Sequence, residues 1–236
     1  MGELRGMTAD RAALVIFARA PVPGQAKTRL IPVLGPEGAA ELYRCFLRDT
    51  LANAAVMDAS VLVAAAEEGH VAEVSRLAAE ACPAAEVIVQ EGRDLGERML
   101  NAFRHTLRSG NRRTVIVGSD VPSLPWERVS EALRLAGERD LTLGPSLDGG
   151  YYLIGMHAAI PRLFDGMAWG ERTVLVDTLR HAQDLGLTVS LLEPWYDVDT
   201  PRDLETLRSH LTALALAGHE LPCPRTWEYM RARDGE

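Results

Sequence analysis

Residues 12–30 read Ala-Ala-Leu-Val-Ile-Phe-Ala-Arg-Ala-Pro-Val-Pro-Gly-Gln-Ala-Lys-Thr-Arg-Leu, seven apolar residues followed by a loop of prolines, one glycine and several cations. The apolar run predicts a buried strand. A loop at the carboxyl end of such a strand is where open α/β sheets bind their ligands. Lys27, the only lysine in the chain, lies in this loop between Arg19 and Arg29.

These cations favour a phosphate site, with Lys27 as a compact point charge and the two arginines as planar forks. We expect Pro23 and Gly24 to shape the loop and to contact the same ligand. The alternative is a solvated surface loop with no ligand.

Short apolar runs alternate along the chain with segments of helical periodicity. The predicted strands are residues 14–18, 60–65, 86–89, 114–117 and 140–143, and the predicted helices are 36–56, 69–81, 94–108, 126–137, 172–186 and 201–217. This alternation predicts a mostly parallel sheet with helices on both faces. Residues 151–156 follow Asp-Gly-Gly without a helix, which favours an antiparallel strand and a mixed sheet.

Neither a repeat nor a linker divides the chain. We therefore expect one domain over residues 1–236, with its core at 13–217 and a C-terminal tail at 218–236. Leu42 with Phe46, and Leu204 with Leu207 and Leu211, have the spacing of core-facing helix residues.

The amino-acid composition and the cysteine spacing argue against several classes of protein. The hydrophobic content of 47% is ample for a buried core, and the net charge of −8 argues against a nucleic-acid partner. Cys45, Cys82 and Cys223 form no CxxC pair, which argues against disulfides and structural zinc. The charged N-terminus precedes only seven apolar residues, too few for a membrane span and wrongly flanked for a signal peptide, so we expect a cytoplasmic protein.

A predicted strand ends in an aspartate at residues 114–125, Thr-Val-Ile-Val-Gly-Ser-Asp-Val-Pro-Ser-Leu-Pro. A carboxylate at the position of Asp120 suits Mg²⁺ or Mn²⁺, which take one or two protein carboxylates together with phosphate oxygens. Ser119 and Pro122 flank it as candidate ligand contacts. The alternative is a turn aspartate that bonds to its own backbone.

A second carboxylate motif occupies residues 195–204, Trp-Tyr-Asp-Val-Asp-Thr-Pro-Arg-Asp-Leu. Thr200 followed by proline is a typical helix start. This leaves Asp197 and Asp199 unexplained, and in an extended segment their side chains point the same way. We interpret Asp199 as the second metal carboxylate beside Asp120, with Asp197 in support.

Paired glycines mark a third candidate segment, residues 143–155. Gly149 and Gly150 permit close approach of the backbone to a ligand, and Ser146 and Asp148 are placed to contact a sugar or metal. The alternative is an Asp-Gly hairpin turn, which is compatible with ligand contact.

Two further candidates complete the set. Residues 90–99 follow the third predicted strand, and four of them are candidates for a base pocket: Gln90, Leu95, Gly96 and Arg98. The alternative is a charged helix start. Trp169 is a candidate cover for a sugar or acceptor, although a lone aromatic side chain is also typical of packing.

Two nucleotide-binding motifs are absent. A Walker A loop needs glycine immediately before the lysine and another five residues earlier than that, where Ala26 and Pro21 stand. The G-x-G-x-x-G of dinucleotide binding does not follow the first strand. The missing glycines therefore argue against a P-loop phosphotransferase, and ATP hydrolysis would be needed to revive that hypothesis.

Taken in order, FARAPVPGQAKTRL, QEGRDLGERM, VGSDVPSL, GPSLDGGYYLIGM and DVDTPRDL resemble the nucleotide-diphospho-sugar transferase superfamily, the type A glycosyltransferase fold. The nearest resemblance is to a bacterial glycosyltransferase-like family of unassigned activity. It implies a three-layer α/β/α Rossmann-like sandwich with a mixed sheet of about seven strands. It also implies phosphate binding by the first loop, a divalent metal on Asp120 and a second carboxylate from the Asp199 motif.

The chain departs from both branches of that superfamily. Its first loop lacks the glycine-rich opening of nucleotidyltransferases, and Asp120 is followed by Val121 and Pro122 where glycosyltransferases usually have Asp-x-Asp. On family grounds the leading expectation is Mg²⁺-dependent glycosyl transfer from a nucleotide sugar, with Lys27, Arg29 and Asp120 as the catalytic set.

Two alternatives stay open. One is nucleotidyl transfer from a nucleoside triphosphate to a phosphorylated acceptor, which the residues themselves favour. Another is a non-catalytic nucleotide-binding protein that keeps the fold. The acceptor and the oligomeric state, including a homodimer, are not determined by the sequence.

Overall fold

A computed structural model describes residues 11–235. Residues 1–10 and 236 of the expected domain, including the charged N-terminal stretch, lie outside the described residues. Seven strands form one sheet: β1 Ala12–Ala18, β2 Ser60–Ala65, β3 Glu86–Val89, β4 Arg113–Gly118, β5 Leu141–Pro145, β6 Tyr151–Met156 and β7 Val189–Leu191. Their spatial order is β3-β2-β1-β4-β6-β5-β7.

Helices connect the strands and cover both faces of the sheet. They are α1 Ile31–Ala54, α2 Val71–Ala81, α3 Leu95–Arg108, α4 Trp126–Leu135, α5 Val174–Asp184, α6 Pro201–Leu216 and α7 Pro224–Asp234. Short 3₁₀ turns occupy Thr28–Leu30, Glu68–His70 and Pro161–Phe164. Helix α1 is bent at Gly35, whose φ of 73° is non-helical, directly before Pro36.

The sheet is mixed, as the sequence predicts. Strand β1 pairs in parallel with β2 and β4, whereas β6 runs antiparallel to both β4 and β5. The chain therefore moves from β1 to one side for β2 and β3 and returns to the other side for β4. This reversal opens a crevice at the carboxyl ends of β1 and β4, the usual ligand site of such sheets.

Every strand and helix predicted from sequence is present, most within a few residues of its predicted ends. Two elements were not predicted. Strand β7 has only three residues, too few to show a period, and it pairs in parallel with β5. Helix α7 has no strong apolar face along its length; it packs on α1 and α6.

The core lies on both faces of the sheet and under α1. The predicted core residues Leu42, Phe46, Leu207 and Leu211 are fully buried, and Leu204 is nearly so. They join one apolar cluster that fixes α6 against α1, and each such side chain contributes about 1.5–3 kcal/mol when buried.

The three cysteines are buried and unpaired. Over residues 11–235, none of the helices combines the length and apolarity needed to cross a bilayer.

Candidate functional site

The loop after β1 turns sharply and aims Lys27 into the protein. The backbone N–H groups of Gln25 and Ala26 both donate to the carbonyl of Val22 at 3.0 Å, so Pro23 and Gly24 form an exposed tip. Lys27 itself has φ 49° and ψ 45°.

Lys27 is the one non-glycine residue with positive φ in the described part of the chain. This left-handed conformation is costly for a side chain and persists only where the surroundings enforce it, which is common at functional sites. The surroundings here are two carboxylates and two aromatic rings.

The ammonium of Lys27 joins the two predicted metal carboxylates. Its Nζ lies 2.5 Å from Oδ1 of Asp120 and 2.7 Å from Oδ1 of Asp199, with the rings of Tyr43 and Phe46 at 5.7 and 5.6 Å. The lysine side chain is 4% exposed, whereas those of the two aspartates are 47% and 43% exposed. Burial alone would lower the pKa of Lys27, but the two negative charges outweigh it and raise that pKa.

Backbone geometry holds the two aspartates together. Asp120 follows the end of β4, and its carbonyl accepts from the N–H of Val198 at 2.9 Å. Helix α6 begins with a reciprocal cap in which Asp203 accepts from the N–H groups of Asp199 and Thr200 at 3.1 and 2.7 Å. The expected helix start at Thr200 is confirmed, and it fixes the backbone of Asp199.

A cavity of about 270 Å³ surrounds this ion cluster, and we call it the cation cavity. It is lined by Arg19, Gln25, Ala26, Lys27, Thr28, Arg29, Tyr43, Asp120 and Asp199. Five residues singled out from sequence in three distant motifs, three cations and two carboxylates, therefore meet around one space.

A second cavity, of about 390 Å³, adjoins it between β1, β4 and α3, and we call it the crevice cavity. Its lining includes Arg19, Tyr43 and Asp120, which it shares with the cation cavity, and the predicted Gln90, Leu95, Arg98 and Ser119. The shared lining indicates that one extended ligand can span both cavities.

Gln90 is fixed at the wall of the crevice cavity. Its backbone N–H donates to the carbonyl of Ala65, and its side-chain amide nitrogen donates to the carbonyl of Ala64, both at 2.8 Å. With the amide nitrogen used in this way, the side-chain oxygen of Gln90 is the acceptor that this residue can present to a ligand.

Asp197 also lines the crevice cavity, where it accepts a hydrogen bond from the hydroxyl of Ser146. Burial, together with the negative charges of Asp148, Asp120 and Asp199, raises the pKa of Asp197 to about 7. The predicted residue Ser146 therefore reaches the site through Asp197.

Several other predicted residues lie outside the linings of both cavities: Pro23, Gly24, Gly96, Pro122, Ser146, Asp148, Gly149, Gly150 and Trp169. Gly96 packs against Trp169, since a Cβ added to Gly96 would lie 2.6 Å from the indole ring. Asp148 accepts from the N–H of Gly150 at 2.9 Å, a local turn contact. A ligand role for these residues stays a prediction.

Sequence reasoning missed the tyrosines of the site. Tyr43 lines both cavities, and Tyr151 and Tyr152 line the crevice cavity. Tyr43 stands next to the core residue Leu42 in α1, so helical periodicity alone gives it a packing role. The sequence feature that could have indicated Tyr43 is its hydroxyl, because a buried tyrosine hydroxyl needs a hydrogen-bond partner.

The donor set fits a hard divalent cation. Among the described residues there is no cluster of three or more metal-ligating side chains. Mg²⁺ needs only one or two carboxylates, because substrate phosphates and water complete its shell. Asp120 and Asp199 supply two half-exposed carboxylates that already converge on one positive charge.

The fold is shared with known structures. A crystal structure from Desulfovibrio desulfuricans G20, provisionally described as a nucleotide-diphospho-sugar transferase, is 34% identical, covers 95% of both chains and has a TM-score of 0.85. A 4-diphosphocytidyl-2C-methyl-D-erythritol synthase from Anaerococcus prevotii has a TM-score of 0.59 at 8% identity, covering 86% of this chain and 96% of its own. At that identity the second likeness shows the fold alone.

A sequence relative indicates the type of reaction. The 2-phospho-L-lactate guanylyltransferase of Methanothermobacter thermautotrophicus is 28% identical over 190 residues, which are 78% of this chain and 79% of that protein. Its name describes nucleotidyl transfer, so the comparison favours the alternative expectation over glycosyl transfer.

A family model described as "Uncharacterized protein conserved in bacteria (DUF2064)" matches residues 47–171, more than half of the chain. The seven-stranded mixed sheet and the 34% identical structure confirm the predicted superfamily and its α/β sandwich. The chain belongs to the DUF2064 family and is a transferase of the nucleotide-diphospho-sugar transferase fold.

Proposed function

We propose that this chain is a nucleotidyltransferase that joins a nucleoside triphosphate to a phosphorylated acceptor and releases pyrophosphate. The observation that carries the proposal is the contact of Lys27 with both Asp120 and Asp199 at the carboxyl ends of β1 and β4. Three cations and two carboxylates around one cavity match the charges of a triphosphate and its counter-ion.

In this reaction a phosphate oxygen of the acceptor bonds to the α-phosphorus of the nucleotide, and the bond from that phosphorus to the bridging oxygen of the β-phosphate breaks. The electron pair leaves with pyrophosphate. Arg19, Lys27 and Arg29 neutralise the triphosphate and the developing charge on pyrophosphate. The chain needs no covalent nucleophile, because alignment and preorganised charge lower the barrier.

Asp120 and Asp199 are the residues that would hold Mg²⁺ or Mn²⁺. A bound divalent cation neutralises phosphate charge and orients the reacting groups.

Two observations favour nucleotidyl over glycosyl transfer. The β4 motif has Val121 and Pro122 after Asp120, without the second aspartate of the usual glycosyltransferase motif. The relative at 28% identity is named for guanylyl transfer.

That relative also makes GTP the first donor to test. The side-chain oxygen of Gln90, fixed by the contact with Ala64, can accept a hydrogen bond from a base in the crevice cavity. Guanine offers N–H donors at N1 and N2, and Arg98 in the same lining can donate to its O6 and N7. The acceptor to test first is 2-phospho-L-lactate.

A rival of another class is a non-catalytic nucleotide-binding protein with this fold. A thermal-shift panel separates the two, since a ligand that binds the native state raises its apparent stability. We compare the four ribonucleoside triphosphates with UDP-, GDP-, CDP- and dTDP-sugars, each with Mg²⁺ and with EDTA. The proposal requires a shift with a triphosphate that is lost with EDTA and in Asp199→Asn. A thermal shift that is unchanged by EDTA and by Asp199→Asn favours the non-catalytic protein.

The remaining proposals concern the domain organisation, the cellular location and the oligomeric state of the chain. We propose one domain with its C-terminal helix packed on α1, and a cytoplasmic location that suits three unpaired thiols. Size-exclusion chromatography with light scattering decides between a monomer and a homodimer.

A further inference from the structure

A chain of hydrogen bonds runs under the two cavities and passes through Tyr43 of helix α1. The backbone N–H of Arg19 donates to the Tyr43 hydroxyl at 2.9 Å. The Tyr43 hydroxyl lies 2.7 Å from the hydroxyl of Ser119, and that hydroxyl donates to the carbonyl of Phe17 at 3.0 Å.

One assignment of donors satisfies all three contacts. A serine hydroxyl has one proton, and the proton of Ser119 is used on the carbonyl of Phe17, which can only accept. Ser119 must therefore accept from Tyr43, whose own oxygen accepts from the N–H of Arg19. The order of donation is Arg19, Tyr43, Ser119 and Phe17, and each hydroxyl both donates and accepts.

Tyr43 connects several parts of the site. It is 3% exposed, and Ser119, which immediately precedes Asp120, is 2% exposed. The hydroxyl of Tyr43 links Arg19, the first residue of the loop after β1, to Ser119 at the end of β4. The ring of Tyr43 lies 5.7 Å from the ammonium of Lys27. It also lines both cavities.

We propose that Tyr43 is a positioning residue for the transfer reaction, holding the Arg19–Lys27 loop and the Asp120 carboxylate at a fixed separation. This inference rests on the proposed function for its kinetic consequence. Burial raises the pKa of Tyr43 to about 12, so the hydroxyl keeps its proton across the neutral range. The loop carries the cations of the ion cluster, and the end of β4 carries one of its carboxylates. A small increase in the distance between the loop and β4 therefore moves the cations away from the substrate phosphates.

The test variant is Tyr43→Phe, which keeps the ring against Lys27 and removes only the hydroxyl. A misplacement of about 1 Å in a reacting geometry costs up to about 10²-fold in rate. We expect kcat for pyrophosphate release from Mg-GTP and 2-phospho-L-lactate to fall about 10–100-fold, with KM for GTP changed less than about threefold.

A matched control is Tyr229→Phe. The hydroxyl of Tyr229 donates to the carbonyl of Gly38 in α1 at 2.8 Å, away from the site. Like Tyr43→Phe, this variant removes one hydrogen-bonded tyrosine hydroxyl and keeps the ring. Its kcat should stay within about twofold of the wild type. If both variants lose kcat in proportion to a loss of melting temperature, Tyr43 is merely structural and the proposal is overturned.

A double-mutant cycle with Ser119→Ala adds a second readout. If the two hydroxyls act in one chain, the double variant loses little more kcat than either single variant. Full additivity of the two losses contradicts the proposal.

Failure of the proposed function would be visible separately, as absence of pyrophosphate release by the wild type. In that case, amide hydrogen exchange tests the positioning role of Tyr43 without an activity assay. Tyr43→Phe should speed amide exchange at residues 19–30 and 118–124 and leave α7 unchanged. Unchanged exchange in both loops overturns the positioning role.

Discussion

The ammonium of Lys27 lies 2.5 Å from Oδ1 of Asp120, a contact that joins the loop after β1 to the end of β4. Asp199 completes the cluster at 2.7 Å from the same nitrogen. The lysine thus neutralises the two carboxylates that we assign to a divalent cation. When that cation and a triphosphate bind, we expect Lys27 to exchange its carboxylate partners for phosphate.

Replacing Lys27 by methionine should affect turnover and metal binding in opposite directions. Loss of a preorganised charge should lower kcat/KM about 10²–10³-fold. The affinity for Mn²⁺ without nucleotide should rise, because the competing ammonium is gone. Pyrophosphate release and a Mn²⁺ titration followed by electron paramagnetic resonance measure the two effects.

Arg134→Met is the control for that experiment, since it removes a surface cation paired with Glu138, and both readouts should stay at wild-type values. Asp120→Ala should lose turnover in the same range as Lys27→Met but bind Mn²⁺ more weakly. Near-normal turnover by either site variant, with the protein folded, contradicts the assignment.

Gln90→Leu should relax the choice of base. The variant keeps the side chain's size and removes the acceptor that we assign to guanine, so kcat/KM for GTP should fall about 10-fold or more relative to ATP. Competition between the two nucleotides in one reaction measures the ratio. An unchanged ratio would place base recognition elsewhere.

Gly96→Ala should destabilise the fold. Its added methyl group would lie 2.6 Å from the Trp169 ring and 3.0 Å from Cβ of Phe164, and overpacking of this kind costs about 1–3 kcal/mol. Gly69→Ala is the comparison, because no atom lies within 4 Å of its added Cβ. Urea unfolding should show the loss only for Gly96→Ala, and equal midpoints for the two variants would contradict the packing.

The pH dependence of stability should include a contribution from Glu73. Hydrogen bonds from Arg76 and then Arg44, of which the second joins α2 to α1, lower the pKa of Glu73 to about 2. A lowered pKa gives stability above the ordinary pKa of 4.5 and loses it as pH falls toward 2.

Glu73→Gln should therefore lose about 1 kcal/mol at pH 7, reduced by solvent screening, and little at pH 2.5. Urea unfolding at the two pH values measures this. Glu37→Gln, at an exposed position of α1, serves as the control. A loss of the same size for Glu73→Gln at both pH values would contradict the ion-pair origin.

The sequence predicted the strands because apolar runs bounded by turns leave few alternatives. It singled out Lys27, Asp120 and Asp199 because each follows or precedes a clear element, but it did not predict that the lysine pairs with the two aspartates. The bond from Tyr43 to Ser119 crosses 76 positions of sequence and depends on how α1 packs against the sheet. Periodicity contains no such information. Strand β7 was missed because three residues gain their structure from pairing with β5.

The most direct test of nucleotidyl transfer by this chain is product analysis for the wild type with Mg²⁺. GTP labelled in its β- and γ-phosphates is incubated with 2-phospho-L-lactate, and GDP-sugars are assayed in parallel. We predict labelled pyrophosphate from GTP, its loss with EDTA, and its decrease of about 10²–10³-fold in Lys27→Met. Release of GDP from a GDP-sugar, with no pyrophosphate from GTP or any other nucleoside triphosphate, would contradict nucleotidyl transfer.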